Sequence, residues 1–207
     1  MRPAPIDPPE VHNRLWEGYS GDKGWDIGAN CGQTLPEMTA RFKTVYAFEP
    51  AEECWPYLEQ FEGVNLLKLA VSDDNKPIEL VALPDKIDTG QLVTGNCEGM
   101  EWNPNNPNAS RRTLAARTVD SLAMEFGNPD FMKIDVEGHE EKVLSGATQV
   151  LNEKRPNLLI EFHSPELYDF CMHTLDALDY KLETVRHPHY AKESHLWYQH
   201  GWIKAFA

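Results

Sequence analysis

The sequence has few of the features that mark a membrane protein, a secreted protein or a small domain held together by a metal ion. No run approaches the roughly 18 apolar residues that a membrane-spanning helix needs, and the start of the chain lacks the apolar core of a signal peptide. None of the four cysteines belongs to a Cys-x-x-Cys pair, so the sequence predicts neither a zinc knuckle nor a disulfide framework. We therefore expect a cytoplasmic protein with free thiols and no membrane partner.

Basic residues are also scarce. Nineteen Lys and Arg stand against 33 Asp and Glu, which gives a formal net charge of -14. Because a field of this sign repels a phosphate backbone, and the Arg111-Arg112 pair is too short to reverse it, we expect no nucleic-acid partner. With 207 residues, of which 41% are hydrophobic and 25% charged, the chain 1–207 is predicted to form one globular domain.

Short apolar runs alternate with amphipathic stretches, and no internal repeat is visible. This alternation is typical of a buried parallel sheet whose strands are connected by helices. The predicted strands are residues 24–28, 44–48, 64–71, 131–135, 157–162, 181–185 and 196–206. Because a turn rather than a helix separates the final pair, we predict an α/β fold with a mostly parallel seven-stranded sheet, an antiparallel last strand and helices on both faces.

The predicted helices are residues 34–42, 52–61, 117–126, 140–151 and 165–178. Residues 77–83 are predicted to form a short extra strand. Over residues 84–112 the periodicity disappears and Gly, Asn and Pro accumulate, which predicts a long insertion or lid loop. Trp102 in this insertion has no evident core position, so we expect it to be available for stacking on a sugar ring. Residues 1–23 form an N-terminal segment ahead of the first strand.

A glycine loop follows the first strand, where an open α/β sheet has its ligand crevice. Gly28, Asn30 and Gly32 tolerate left-handed backbone geometry, and the glycines let the chain approach a ligand closely. Glu49 ends the second strand, where an acidic residue can accept hydrogen bonds from both hydroxyls of an adenosine ribose. Together these features predict a nucleotide-like ligand.

The loop sequence separates two classes of ligand. A dinucleotide-binding loop reads Gly-x-Gly-x-x-Gly, whereas this loop reads Asp-x-Gly-x-Asn-x-Gly from Asp26 to Gly32. The Asp26 carboxylate would repel a pyrophosphate and suit a ligand with ammonium and sulfonium charges, which favours S-adenosylmethionine. Val71, Ser72 and Asp73 end the third strand and are predicted to meet the adenine edge. A nicotinamide-dependent oxidoreductase and a non-catalytic cofactor-binding module stay open as alternatives.

Five segments stand out by their order and spacing. They read WDIGANCG, YAFEP, AVSD, RTVDSL and KIDVEGHE, at residues 25–32, 46–50, 70–73, 117–122 and 133–140. Together they resemble the FkbM-type methyltransferases over roughly residues 24–163, and the last segment is the most discriminating. The resemblance implies a class I Rossmann-like fold, S-adenosylmethionine as the cofactor, and O-methylation of a sugar, glycan or small natural product. Relatives often carry more residues ahead of the loop, so the 84–112 insertion is the better candidate for acceptor recognition.

The carboxyl ends of the fourth and fifth strands carry the residues suited to removing a proton from an acceptor hydroxyl. The candidates for catalysis are Asp135, Glu137, His139, Glu161 and His163. We expect His139 or His163 to be the general base, because imidazole titrates near neutral pH. A purely structural role for His139 at the start of a helix is the alternative.

A divalent cation is a second means of activating the hydroxyl. Asp135, Glu161 and His163 would supply the ligands, and alternation along the fifth strand puts Glu161 and His163 on one face. Three further histidines near the last strands are interpreted as surface or loop residues: His187, His189 and His195. The acceptor is expected to be a small molecule or a glycan.

Overall fold

The computed structural model describes residues 9–82, 110–186 and 200–207. In chain order its elements are α1 (Pro9–Trp16), β1 (Gly21–Ile27), α2 (Leu35–Arg41), β2 (Phe42–Phe48), α3 (Trp55–Leu58), β3 (Val64–Leu67), β4 (Ala70–Val71), β5 (Ile78–Ala82), β6 (Ser110–Leu114), β7 (Ala116–Arg117), α4 (Val119–Phe126), β8 (Phe131–Ile134), α5 (Glu140–Ser145), α6 (Thr148–Glu153), β9 (Asn157–Phe162), α7 (Pro165–Asp176), β10 (Lys181–Arg186) and β11 (Gly201–Phe206). Four side chains named above lie outside these ranges: Trp102, His187, His189 and His195.

A seven-stranded sheet with the order β10-β11-β9-β8-β1-β2-β3 forms the centre of the protein. The pairs from β9 to β3 are parallel, whereas β11 runs antiparallel to both β9 and β10. The predicted mostly parallel sheet with an antiparallel last strand is therefore confirmed. The strand order reverses between β1 and β8, and ligands of open α/β sheets bind at the carboxyl ends of strands beside such a reversal.

Helices cover both faces of this sheet, as predicted. Successive residues of β8 point to opposite faces, so Phe131 packs in a cluster with Trp16 of α1, while Met132 packs in a cluster with Trp25 and Leu144. The first cluster also includes side chains of α2 and α3, and the second includes side chains of α4, α5, α6 and α7. None of the described helices is long and apolar enough to cross a membrane.

Two predicted elements are each divided in the structure. Residues 64–71 form β3 in the central sheet and β4, which pairs with β7 instead. The predicted helix 140–151 is divided into α5 and α6 at Gly146, which acts as the C-cap of α5. A Cβ at Gly146 would lie only 2.1 Å from the carbonyl oxygen of Ser72, so glycine at this position lets the backbone approach the end of β4.

The borders of the predicted insertion form a hairpin. The extra strand predicted at 77–83 is confirmed as β5, and it pairs antiparallel with β6. The prediction of a loop as far as Arg112 is wrong at this end, because residues 110–114 form β6. Arg112 also donates hydrogen bonds of 2.8 and 2.9 Å to Glu52 and Glu53, long-range partners that no local pattern reveals. The remaining residues of the predicted lid lie outside the described part of the chain.

Candidate functional site

The glycine loop after β1 adopts the left-handed backbone that its residue types favour. The φ angles are +80° at Gly28, +48° at Asn30 and +87° at Gly32. A Cβ at Gly28 would lie 1.8 Å from the backbone carbonyl oxygen of Asp135. Only glycine therefore lets the end of β1 pass this close to the segment that follows β8.

Glu49 joins the end of β2 to the glycine loop. Its Oε2 accepts a 2.7 Å hydrogen bond from the backbone N–H of Asn30, and its Oε1 accepts one of 2.8 Å from Ala51. The side chain is buried, with only 6% of the residue exposed. Burial raises the pKa of Glu49 to about 7, against the effect of the two N–H donors.

The carboxyl ends of β1, β2 and β8 enclose one cleft, which we call the strand-end cleft. Its lining residues are Gly28, Asn30, Glu49, Pro50, Cys54, Asp135, Val136 and Glu137. Five residues predicted to bind the cofactor or to act in catalysis line this cleft, namely Gly28, Asn30, Glu49, Asp135 and Glu137. The structure thus brings the predicted cofactor loop and part of the predicted catalytic group together.

Asp26 is completely buried and is not among the residues that line the cleft. Its Oδ2 accepts a 2.5 Å hydrogen bond from the hydroxyl of Thr34, and its Oδ1 lies 3.3 Å from Nζ of Lys133. Burial raises the pKa of Asp26, although the Lys133 ammonium opposes this. These contacts hold the loop and Lys133 in place, and contact of Asp26 with the cofactor stays a prediction.

Lys133 is a site residue that the sequence analysis missed. Its Nζ lies 3.1 Å from the Gly28 carbonyl oxygen and 3.1 Å from Oδ2 of Asp135, in addition to its pairing with Asp26. Burial lowers the pKa of Lys133, but the two carboxylates outweigh burial and raise it. A lysine inside an apolar strand needs a charged partner, so its position in the sequence already indicates a buried ion pair at this strand.

A convergent group lies at the ends of β8 and β9 and is called here the strand-end triad: Asp135, Glu137 and His163. Nε2 of His163 is 3.7 Å from Oδ1 of Asp135 and 3.5 Å from Oε2 of Glu137. Burial works to raise the pKa of Asp135, but Lys133 and then His163 outweigh it and lower that pKa. Burial raises the pKa of Glu137. Glu137 has φ +53°, a conformation that concentrates at functional sites in residues with a Cβ.

Glu140 orients the imidazole of the triad. It is completely buried, and its Oε1 lies 3.0 Å from Nδ1 of His163 while also accepting backbone N–H groups of Val136 and Gly138. Because Nδ1 faces this carboxylate, Nε2 is directed towards Asp135 and Glu137. Burial works to lower the pKa of His163, but Glu140 and the triad carboxylates raise it well above its ordinary value.

His139 is separated from the triad by its contacts. Only 3% of the residue is exposed, its Nε2 lies 2.9 Å from the hydroxyl of Ser72, and it occupies the N-cap position of α5. Burial lowers the pKa of His139. These features favour the structural role over the role of general base.

The three predicted adenine contacts lie at the end of β4. Val71 and Ser72 are buried, whereas Asp73 is exposed and forms a 2.8 Å ion pair with Lys142. None of the three lines the strand-end cleft as the described residues define it. Contact of Val71, Ser72 and Asp73 with adenine therefore stays a prediction.

Glu161 belongs to a second convergent set, together with His163 and His200. Its Oε1 lies 2.6 Å from Nε2 of His200, and its Oε2 accepts a 3.0 Å hydrogen bond from the indole N–H of Trp202. The predicted cation ligands Asp135, Glu161 and His163 thus fall into two sets that share His163. His200 was not predicted, because strand order in the sequence does not show that β11 lies beside β9.

Comparison with known proteins supports the architecture and identifies the family. The model of the methyltransferase FkbM domain matches residues 26–187, whereas no curated protein sequence matches significantly. The crystal structure of the FkbM methyltransferase from Methylobacillus flagellatus KT has a TM-score of 0.61 at 18% identity, covering 91% of this chain and 44% of that one. The chain thus spans less than half the length of that protein.

Two further solved structures are similar over their whole length or nearly so. A Streptococcus mutans protein in complex with SAH has a TM-score of 0.53 at 12% identity, covering 100% of both chains. The precorrin-6y C5,15-methyltransferase from Geobacter metallireducens GS-15 has a TM-score of 0.52 at 14% identity, covering 98% of this chain and 90% of that one. At these identities the structures show a shared Rossmann-like fold, and the domain match over most of the sequence shows that this chain belongs to the FkbM family of S-adenosylmethionine-dependent methyltransferases.

Proposed function

We propose that the protein transfers the methyl group of S-adenosylmethionine to a hydroxyl group of a sugar, a glycan or a small natural product. The observation that carries this proposal is the shared lining of the strand-end cleft. Glu49 and the glycine loop lie on one side of it, and Asp135 and Glu137 of the triad lie on the other. A cofactor held at the loop would present its reactive end to the group that can handle an acceptor proton.

Glu49 has the capacity to hold the cofactor ribose. Each of its two oxygens accepts one backbone N–H, from Asn30 and from Ala51, and a carboxylate oxygen has a further lone pair. The two ribose hydroxyls would therefore be accepted without breaking the contacts that fix the carboxylate. Gly28 and Asn30 on the same cleft allow the backbone to pass close to the amino-acid part of the ligand.

The reaction is an in-line displacement. The acceptor oxygen forms a bond to the methyl carbon while the carbon–sulfur bond breaks, and sulfur keeps that electron pair to give S-adenosylhomocysteine. The hydroxyl proton leaves towards the strand-end triad, whose carboxylates and imidazole border the cleft or point towards it. His163, and not the buried His139, is the histidine on the acceptor side in this proposal.

The charge of the protein bears on the class of acceptor. With a formal net charge of -14, its field disfavours polyanions, so we propose neutral polyhydroxyl acceptors rather than nucleic acid. A cytoplasmic location agrees with this proposal and stays a prediction.

Calorimetry and a methyl-transfer screen test the proposal together. S-Adenosylhomocysteine is expected to bind at one site per chain. Glu49→Gln is expected to weaken this binding, whereas Glu62→Gln, a control at an exposed position, is expected to leave it unchanged. Binding of NAD in place of S-adenosylhomocysteine would support the oxidoreductase instead. Cofactor binding without labelled product from any sugar or polyol would support a module that binds and does not catalyse.

A further inference from the structure

The strand-end triad has the dimensions of a metal-binding site. Oδ1 of Asp135 and Oε2 of Glu137 lie 3.7 and 3.5 Å from Nε2 of His163, longer than strong charge-assisted hydrogen bonds. Two ligands at about 2.1 Å from a tetrahedrally coordinated ion are about 3.4 Å apart. The observed gaps therefore leave room for an ion between the three atoms after small side-chain shifts.

Two of the three triad members, His163 and Asp135, are each held by a group outside the triad, as metal ligands commonly are. Glu140 contacts Nδ1 of His163 at 3.0 Å, which leaves Nε2 to face the centre of the triad. Lys133 contacts Oδ2 of Asp135 at 3.1 Å, which leaves Oδ1 to face the same centre. Both contacts come from residues outside the triad, and they fix the positions of Nε2 of His163 and Oδ1 of Asp135.

The charge around the triad favours a cation. One lysine and two imidazoles are shared by five carboxylates in this network of contacts. The carboxylates are those of Asp26, Asp135, Glu137, Glu140 and Glu161. Partly buried carboxylates are costly unless they are paired or coordinate a metal. In the second convergent set, both oxygens of Glu161 already contact His200 and Trp202, so the triad is the better position for an ion.

We propose that Asp135, Glu137 and His163 bind one divalent ion of the first transition row, such as Zn2+, Mn2+ or Co2+. One imidazole and two carboxylates form a mixed nitrogen and oxygen ligand set that suits these ions better than Ca2+. The role of the ion rests on the proposed methyl transfer. It would bind the acceptor hydroxyl and lower its pKa, which eases loss of the hydroxyl proton to a triad carboxylate oxygen that does not hold the ion.

Metal binding is measured without any methyl transfer. The full chain is stripped with a chelator, dialysed and titrated with Co2+, which is followed by its visible absorption, and with Zn2+ and Mn2+ by calorimetry. One ion per chain is expected. Glu137→Gln is expected to weaken binding by about a hundredfold. Glu141→Gln, the same chemical change at an exposed position of α5, is expected to leave binding unchanged.

Two further variants locate the ion. His163→Ala is expected to abolish the Co2+ absorption band while circular dichroism shows a folded protein, and Glu161→Gln is expected to retain the band. If wild type binds none of the three ions, or if Glu137→Gln binds as tightly as wild type, the proposal is overturned. Loss of binding in Glu161→Gln alone would move the ion to the second set and also overturn it. A protein that binds the ion and methylates no acceptor contradicts the proposed function and leaves the metal site standing.

Discussion

Cofactor affinity is expected to depend on pH through Glu49. The buried carboxyl has a pKa of about 7, above its ordinary value of 4.5, and the ribose hydroxyls can both donate only to the charged form. The charged fraction is about 0.1 at pH 6 and about 0.9 at pH 8, and apparent affinity scales with the competent fraction. The Kd for S-adenosylhomocysteine is therefore expected to fall about tenfold between pH 6 and pH 8, or about 1.4 kcal/mol.

Calorimetric titrations at several pH values between 6 and 8 measure this dependence. Glu49→Gln removes the titrating group, so its Kd is expected to be weaker and nearly constant, and it also reports any titration of the ligand itself. Glu62→Gln, which is exposed, is expected to keep the full dependence of wild type. A constant wild-type Kd, or an equal slope in Glu49→Gln, would refute the assignment of Glu49 to the ribose.

Three other substitutions test the site. Gly28→Ala places a Cβ 1.8 Å from a carbonyl oxygen and is expected to lower the free energy of unfolding in urea by more than about 3 kcal/mol. Gly63→Ala, at a position with a similar φ but open space around it, is expected to lower it by about 1 kcal/mol. Equal losses in the two variants would contradict the steric argument. Lys133→Met leaves buried carboxylates unpaired and is expected to cost about 3–5 kcal/mol, so a loss below 1 kcal/mol would be evidence against the ion-pair network. His163→Ala is expected to lower kcat at least a hundredfold, whereas His139→Ala is expected to lose mainly thermal stability. A larger loss of kcat in His139→Ala would assign the histidine beside the acceptor to His139 instead.

The sheet could be predicted because its physical determinants are local. Apolar runs such as β2 and β9 alternate with amphipathic helices, and this pattern alone indicates a parallel sheet. The glycine loop was also predictable, since Gly28 and Gly32 have the positive φ values that favour glycine. The positive φ values and the main strands therefore follow from short segments of the sequence.

Contacts between distant segments could not be predicted in the same way. Asp26 belongs to the predicted loop motif, but its partner Lys133 comes from the neighbouring strand of a sheet whose order the sequence does not show, so its burial could not be predicted. His200 reaches Glu161 only because β11 inserts between β9 and β10. Glu140 lies in the first turn of α5, where an acidic residue suits the helix dipole, and its contact with His163 joins segments that are far apart in the sequence.

A crystal structure of the protein with S-adenosylhomocysteine tests the central claim most directly. Both ribose hydroxyls are expected within hydrogen-bond distance of the Glu49 carboxylate, with the sulfur facing Asp135 and Glu137 across the strand-end cleft. A ligand bound with its ribose away from Glu49, or with its sulfur turned away from the triad, would contradict the account.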